Sequence, residues 1–190
     1  MTGRIPTQLM DGVMNLFMEK QEHREGRLRG PFQNQSDLRQ VVGGRGLVHL
    51  ALESVQRLDE TQPGWHTRTS HEFEPRMMLT LLSYCYASGI YGSAQIAEAI
   101  RNNETVRYIC ARTYPHPEAI RDFRRENREA IRHGLKLILQ HAGELQLTQS
   151  ASDERERSLL RAELSEHTDV DIQHRLDVAI FIDLMEFDAD

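Results

Sequence analysis

The sequence predicts an all-α fold, a compact multi-helix domain with a helix-turn-helix-like core and flanking N- and C-terminal helices. Apolar residues recur at the helical period of about 3.6 in each informative segment, and proline or glycine stands where helix-like blocks begin or end. Alternating apolar and polar runs, which are typical of strands, do not stand out. We divide the chain into N-terminal helices and linkers (1–72), a helical core (73–145) and an acidic helical extension (146–190).

The N-terminal part contains two predicted helices. The first spans residues 6–22, where Leu9 and Phe17 belong to an apolar face. The second spans residues 47–60, and the glycine-rich sequence at 43–46 before it predicts a hinge.

The first two helical blocks of the core have clear boundaries. Pro75 suits the first turn of a helix, and Gly89 suits a left-handed C-terminal cap. The residues between them are apolar on nearly all sides, which predicts the central buried helix. The second block begins with Ser93 as its predicted N-cap. Its predicted buried face consists of Ile96, Ala97 and Ile100.

Two more blocks complete the predicted core. The third is short and covers residues 105–112. The fourth begins near Pro117, has a candidate kink at Asn127 and is predicted to end at Gly143. Its apolar residues Ile120, Phe123, Ala130 or Ile131, and Leu135 are expected to face the core.

Charge is distributed unevenly along the chain, although the net charge is -6. Residues 101–136 hold nine Lys/Arg against five acids, a net charge of +4. Residues 150–190 hold four arginines against twelve acids, a net charge of -8, and are predicted to form two helices, the second capped by Thr168 or Asp169. A basic middle and an acidic end favour different partners.

The remaining composition predicts a cytoplasmic protein without a membrane partner. No apolar run approaches the roughly 18 to 20 residues of a membrane span, and the first residues lack a signal-peptide pattern. Cys85 and Cys110 stand among apolar residues without a ligand-spaced partner, which predicts free buried thiols.

A long ordered series of residues runs through the core segment, from Phe73 to about Glu144. Its main stretches are LLSYCYASGIYGSAQIAEA and, after a proline turn, AIRDFRREN. The series resembles the InsH-type N-terminal domain of DDE insertion-sequence transposases, whose pattern is LLLYGYxxGxxSSRxIExA followed by TIxRFR. The turn residues 116–119 depart from the polar residues of that family. Matching positions include Pro75, Tyr84, Tyr86, Gly89, Ser93, Ile96, Tyr108, Ile109, Pro115, Ile120, Phe123, Arg124 and Arg125.

The resemblance implies a helical unit that recognises the terminal repeats of a mobile element. In that family the unit precedes an RNase-H-like domain with three metal-binding carboxylates. About 45 residues follow Leu145 here, and they look helical, so we expect no catalytic domain, metal or other cofactor, and no enzyme activity.

Arginines form the strongest candidate site. Five of them, on the predicted fourth helix, share one side of it: Arg121, Arg124, Arg125, Arg128 and Arg132. The planar guanidinium of arginine makes paired hydrogen bonds to phosphates and to guanine edges. The alternative is a solvated face with helical pairs such as Asp122 with Arg125. The candidate DNA-binding residues are Arg101, Arg107, Arg121, Arg124, Arg125, Arg128 and Arg132.

Other candidate sites have simpler interpretations. Tyr84 and Tyr86 could stack on a base, but tyrosines within an apolar helix more often belong to the core. His116 and Cys110 lack the spacing of a zinc site.

The function predicted is therefore that of a DNA-binding module from a truncated or stand-alone transposase, which binds transposon ends without cutting them. One alternative is an interaction module that forms homo-oligomers or regulates an intact transposase. Another is the DNA-binding part of a split transposase.

Overall fold

The computed structural model describes residues 37–62, 64–65, 72–150 and 154–187, and the predicted helix over 6–22 lies outside them. The described residues form helices and no strand, which confirms the all-α prediction. The helix-turn-helix-like arrangement of the core stays a prediction. The helices are α1 (Arg39–Val42), α2 (Gly44–Thr61), α3 (Pro75–Ala87), α4 (Ser93–Asn102), α5 (Glu104–Ile109), α6 (Pro117–Glu126), α7 (Arg128–Ser150) and α8 (Glu154–Phe187).

Helix α3 is the central helix, as predicted. Every residue from Met78 to Ala87 is buried, and the helix packs against α2, α5 and α7. Its start is fixed locally, because the Glu74 carboxylate accepts a hydrogen bond of 2.6 Å from the Met77 N–H. Its end is followed by Gly89, whose φ of 79° is the left-handed conformation that glycine adopts without strain.

Helices α2, α3 and α7 approach each other closely at Gly134. A Cβ at this position would lie 2.6 Å from Ser83 Oγ and 3.5 Å from Ser54 Oγ. Both serines are buried, and Ser54 Oγ donates to the Ala51 carbonyl at 2.8 Å. Gly134 therefore sets the distance between α7 and the two helices beneath it.

Two predicted boundaries in the first half are off by a few residues. Helix α2 starts at Gly44, so only Gly43, with a φ of 76°, breaks the chain in the predicted hinge. Gly92 is the N-cap of α4, and Ser93 is already the first helical residue. The buried face of α4 is nevertheless the predicted one, with Ile96, Ala97 and Ile100.

The predicted fourth block is two helices, and its predicted end is wrong. The chain breaks at Asn127, where a kink was expected, but α7 then continues through Gly143 to Ser150. Gly143 is buried against Leu164 of α8, and a Cβ there would overlap the leucine side chain. Glycine serves here for close packing between helices, and not as a cap.

The acidic extension forms one long helix instead of the predicted two. Thr168 lies inside α8, where its hydroxyl donates to the Leu164 carbonyl at 2.7 Å, so it caps no helix. Helix α8 packs against α7, and the side chains that it buries in the shared core are those of Leu164, Ile172, Leu176 and Ala179. No helix among the described residues is long and apolar enough to cross a membrane.

Candidate nucleic-acid interface

The predicted arginine stripe is divided at Asn127. This residue ends α6, and both its backbone N–H and its side-chain amide donate to the Phe123 carbonyl, at 2.9 and 3.1 Å. The helix is interrupted between Arg125 and Arg128, so the arginines do not share one continuous helix. Each has its own environment.

Arg124, a candidate DNA-binding residue from the sequence, lies in the interior and not on the surface. Only 5% of the residue is exposed, and its guanidinium forms an ion pair of 2.7 Å with Asp183 of α8. It also lies 5.7 Å from the centre of the Tyr86 ring, on which it makes a cation–π contact. The second oxygen of Asp183 accepts from the Ser93 N–H at 2.6 Å. Arg124 therefore joins α6, α4 and α8.

Arg132 also contacts α8. Its guanidinium donates to the side-chain amide oxygen of Gln173 at 2.7 Å, and one turn further on Lys136 pairs with Asp169 at 3.2 Å. Together with the pair of Arg124, these contacts show that later residues of α6 and α7 meet earlier residues of α8. The acidic helix therefore runs antiparallel to α6 and α7. Part of the predicted basic stripe thus holds the acidic extension.

The other arginines of α6 and α7 reach the surface to different extents. Arg125 and Arg128 are exposed, whereas Arg121 is half-buried and donates to Ser93 Oγ at 3.1 Å. Arg125 pairs with Asp122 at 2.8 Å, which is the helical pair that the alternative interpretation predicted. This exposed pair contributes little to stability, so it leaves Arg125 able to exchange partners.

A second basic group surrounds α5. Arg101 is exposed and Arg107 half-buried, and the Arg107 guanidinium donates to the Arg101 carbonyl at 2.8 Å. Arg112 follows in an exposed turn. Arg112 is not among the candidate residues named from the sequence, although its position in the basic segment was a usable signal.

Two exposed tyrosines accompany this group. Tyr108 is 76% exposed and Tyr114 is 54% exposed. Tyr108 appeared in the sequence only as a position shared with the transposase pattern, and nothing in the spacing of the short helix showed that it faces outward.

Tyr84 and Tyr86 are core residues, as predicted, with 1% and 0% of their area exposed. Cys85 and Cys110 are free, buried thiols, also as predicted. Burial raises the pKa of Cys85 and brings the pKa of Cys110 to about 12, so both thiols stay protonated near neutral pH. Within the described ranges, no three His, Cys, Asp or Glu side chains are grouped to hold a metal ion.

Residues 47–126 match a family described as "Transposase domain (DUF772)". The matched segment is less than half of the chain and runs from within α2 to the end of α6. All of the second basic group and the first part of the stripe therefore lie within it. The match supports a transposase-related origin of this segment. No curated protein and no solved structure matches the chain.

Proposed function

We propose that this chain is a DNA-binding module that occupies the terminal repeats of a mobile element without cutting them. The observation that carries the proposal is the coincidence of two features: the transposase-domain match, and surface arginines on the helices that it covers. The residues we assign to DNA contact are Arg101, Arg107, Arg121 and Arg125 within the matched segment, and Arg128 just beyond it.

Arginine suits this task for two reasons. Its planar fork makes paired hydrogen bonds to a phosphate or to a guanine edge, and it stays charged at every relevant pH. Each phosphate that it neutralises releases counterions, which stabilises the complex at low salt. We assign Arg124 and Arg132 a different task, because both hold α8 in place.

The acids of α8 support binding without cleavage. Asp169 pairs with Lys136, Asp171 with Arg175, and Asp183 with Arg124. Asp169 and Asp183 attach the helix to α7 and α6, and Asp171 pairs with Arg175 inside α8. Metal-dependent strand cleavage needs carboxylates gathered around divalent ions instead.

The test compares two double variants that remove the same charge. Arg125→Ala/Arg128→Ala removes two proposed phosphate contacts, and the control Arg57→Ala/Arg161→Ala removes two exposed arginines of α2 and α8. Binding to duplexes from the flanking repeats is measured across a salt series. Each phosphate contact contributes about 0.9 to the slope of log affinity against log salt. We therefore expect the slope to become shallower by about 1.8 in the first variant and to change little in the control. Equal slopes in both variants would contradict the proposal.

A second function is favoured by one observation, the exposed apolar side chains near the end of α8. Ile180 and Leu184 are one helical turn apart and are 40% and 62% exposed, and Met185 beside them is 38% exposed. Such a face suits an oligomer or a complex with an intact transposase. Association through these side chains would respond little to salt, so the same salt series separates this function from DNA binding.

A further inference from the structure

An open cleft on the outer side of α5 brings exposed apolar and basic side chains together. It lies between α5, the turn that follows it and one residue of α2. The cleft belongs entirely to the segment that matches the transposase domain. Its lining residues are Leu52, Glu104, Arg107, Tyr108, Ile109, Ala111 and Arg112.

Tyr108 is the most exposed large hydrophobic residue in the described part of the chain. Val106 and Ile109 of the same helix are buried, so α5 packs through its other face and does not use the tyrosine ring. Leu52 of α2 is 48% exposed in the same cleft. Two large apolar side chains left in water at one place mark a surface that gains free energy when it is covered.

Arg107 is held in position at this surface. One of its terminal nitrogens donates to the Arg101 carbonyl at 2.8 Å. Its Nε is buried and has no hydrogen-bond partner among the described residues. The guanidinium is thus oriented by the protein beside the cleft.

The turn after α5 has an unusual backbone. Ala111 and Arg112 have φ angles of 48° and 67°, a left-handed conformation that residues other than glycine seldom adopt. Thr113 closes the turn, since its N–H and its hydroxyl both donate to the Cys110 carbonyl, at 2.8 and 2.6 Å. The turn places Arg112 in the lining of the cleft, together with Arg107.

We propose that this cleft binds one unpaired nucleotide of the DNA that the module occupies, so this inference rests on the proposed function. The base stacks on the Tyr108 ring beside Leu52, and the adjoining phosphates pair with Arg107 and Arg112. A tyrosine flanked by arginines suits a nucleotide, because every base has a face for stacking and every phosphate a negative charge. Within a duplex both faces of a base are already covered, so the nucleotide must be unpaired.

Glu104, the one acid that lines the cleft, agrees with this occupant. A carboxylate repels phosphate and accepts hydrogen bonds from the amino groups of bases. It therefore directs the phosphates towards the arginines and the base edge towards itself.

The experiment uses the full chain and two DNA duplexes of the same sequence. One is blunt, and the other carries a short single-stranded overhang that contains 2-aminopurine, whose fluorescence falls when it stacks on a ring. We expect tighter binding and quenching with the overhang. Tyr108→Ala should lower overhang affinity on the order of tenfold and leave blunt-duplex affinity unchanged, while Tyr108→Phe keeps the stacking.

Tyr114→Ala is the matched control, because Tyr114 is also an exposed tyrosine but does not line the cleft. Its overhang affinity should equal that of the unmodified chain. If Tyr108→Ala behaves like Tyr114→Ala while the blunt duplex still binds, the cleft proposal is wrong and the proposed function stands. If the unmodified chain binds neither duplex, both are wrong.

Discussion

Adjacent arginines in this chain have opposite environments, as Arg124 and Arg125 show. Helix α6 turns Phe123 and Arg124 inward, while Arg125 on the next position faces solvent. Arg124 can be buried because Asp183, 59 positions later, supplies the opposite charge at 2.7 Å. Local spacing gave both residues the same predicted role, because the partner of Arg124 lies on a different helix.

We expect Arg124→Ala to destabilise the fold far more than Arg125→Ala. The first change removes the ion-pair partner of Asp183, whose side chain is only 8% exposed. Leaving this buried carboxylate charged and unpaired costs about 3–5 kcal/mol of stability. The second removes an exposed pair, which contributes about 0–1 kcal/mol. Urea unfolding of both variants measures the difference.

The double variant Arg124→Met/Asp183→Leu serves as the control. Replacing both charges with apolar side chains removes the unpaired carboxylate, so part of the lost stability should return, although the Ser93 N–H loses its acceptor. Equal stability of Arg124→Ala and Arg125→Ala would show that the buried pair does not hold α8.

At the scale of the helices, local chemistry was predictable and contacts between helices were not. Pro75 and Pro117 begin helices as predicted, because proline suits the first turn in any surroundings. Gly89 follows a helix end because its backbone is left-handed. Gly143 had the same local signal, but α8 packs over it and the helix continues. A glycine needed for packing cannot be told from a cap by sequence alone.

Gly134→Ala should destabilise the protein, contrary to the usual effect of alanine in a helix. Alanine gains about 1 kcal/mol of helix propensity over glycine. The new methyl group would meet Ser83 Oγ at 2.6 Å between packed helices, and overpacking costs about 1–3 kcal/mol. The free energy of unfolding in urea is the measurement.

Gly46→Ala is the matched control in α2. There the nearest atom to a new Cβ is 3.7 Å away, an ordinary contact, so this variant should gain the helix propensity. Ser83→Ala added to Gly134→Ala should restore stability, since Ser83 Oγ is buried without a hydrogen-bond partner among the described residues. If Gly134→Ala stabilises as much as Gly46→Ala, the helices are not in close contact at this point.

At the scale of the whole molecule, one core joins segments that the sequence separates. The buried apolar cluster extends from Leu38 to Ala179 and so includes α2 and α8 as well as the helices between them. The three-part division of the chain stays a prediction, and the shared core shows which contacts cross its boundaries. The sequence marked this segment only as an acidic extension, because Arg124, the buried partner of its Asp183, lies in α6 and not in the sequence of α8.

Arg175 makes a buried polar contact between α8 and the central helix. It is 1% exposed, donates to the Tyr86 carbonyl at 2.6 Å and pairs with Asp171 at 3.2 Å. Burial raises the pKa of Asp171, and the positive charge of Arg175 opposes that shift. The pair thus ties a partly desolvated carboxylate of α8 to the centre of the molecule.

Because the core is continuous, we expect Arg175→Ala to lower the stability of α2 and α8 together. Trp65, the only tryptophan, packs against the core next to α2, where its indole N–H donates to Asp59 at 2.9 Å, so its fluorescence reports that region. Circular dichroism reports all helices. Both probes should give one coincident urea transition. In Arg175→Ala this transition should occur at lower urea, with the free energy of unfolding reduced by about 3–5 kcal/mol. Lys136→Ala breaks an exposed pair and should reduce the free energy of unfolding by only about 0–1 kcal/mol. An early loss of helical signal in Arg175→Ala, with the fluorescence transition unchanged, would show instead that α8 unfolds by itself and that the transposase-like segment is stable without it.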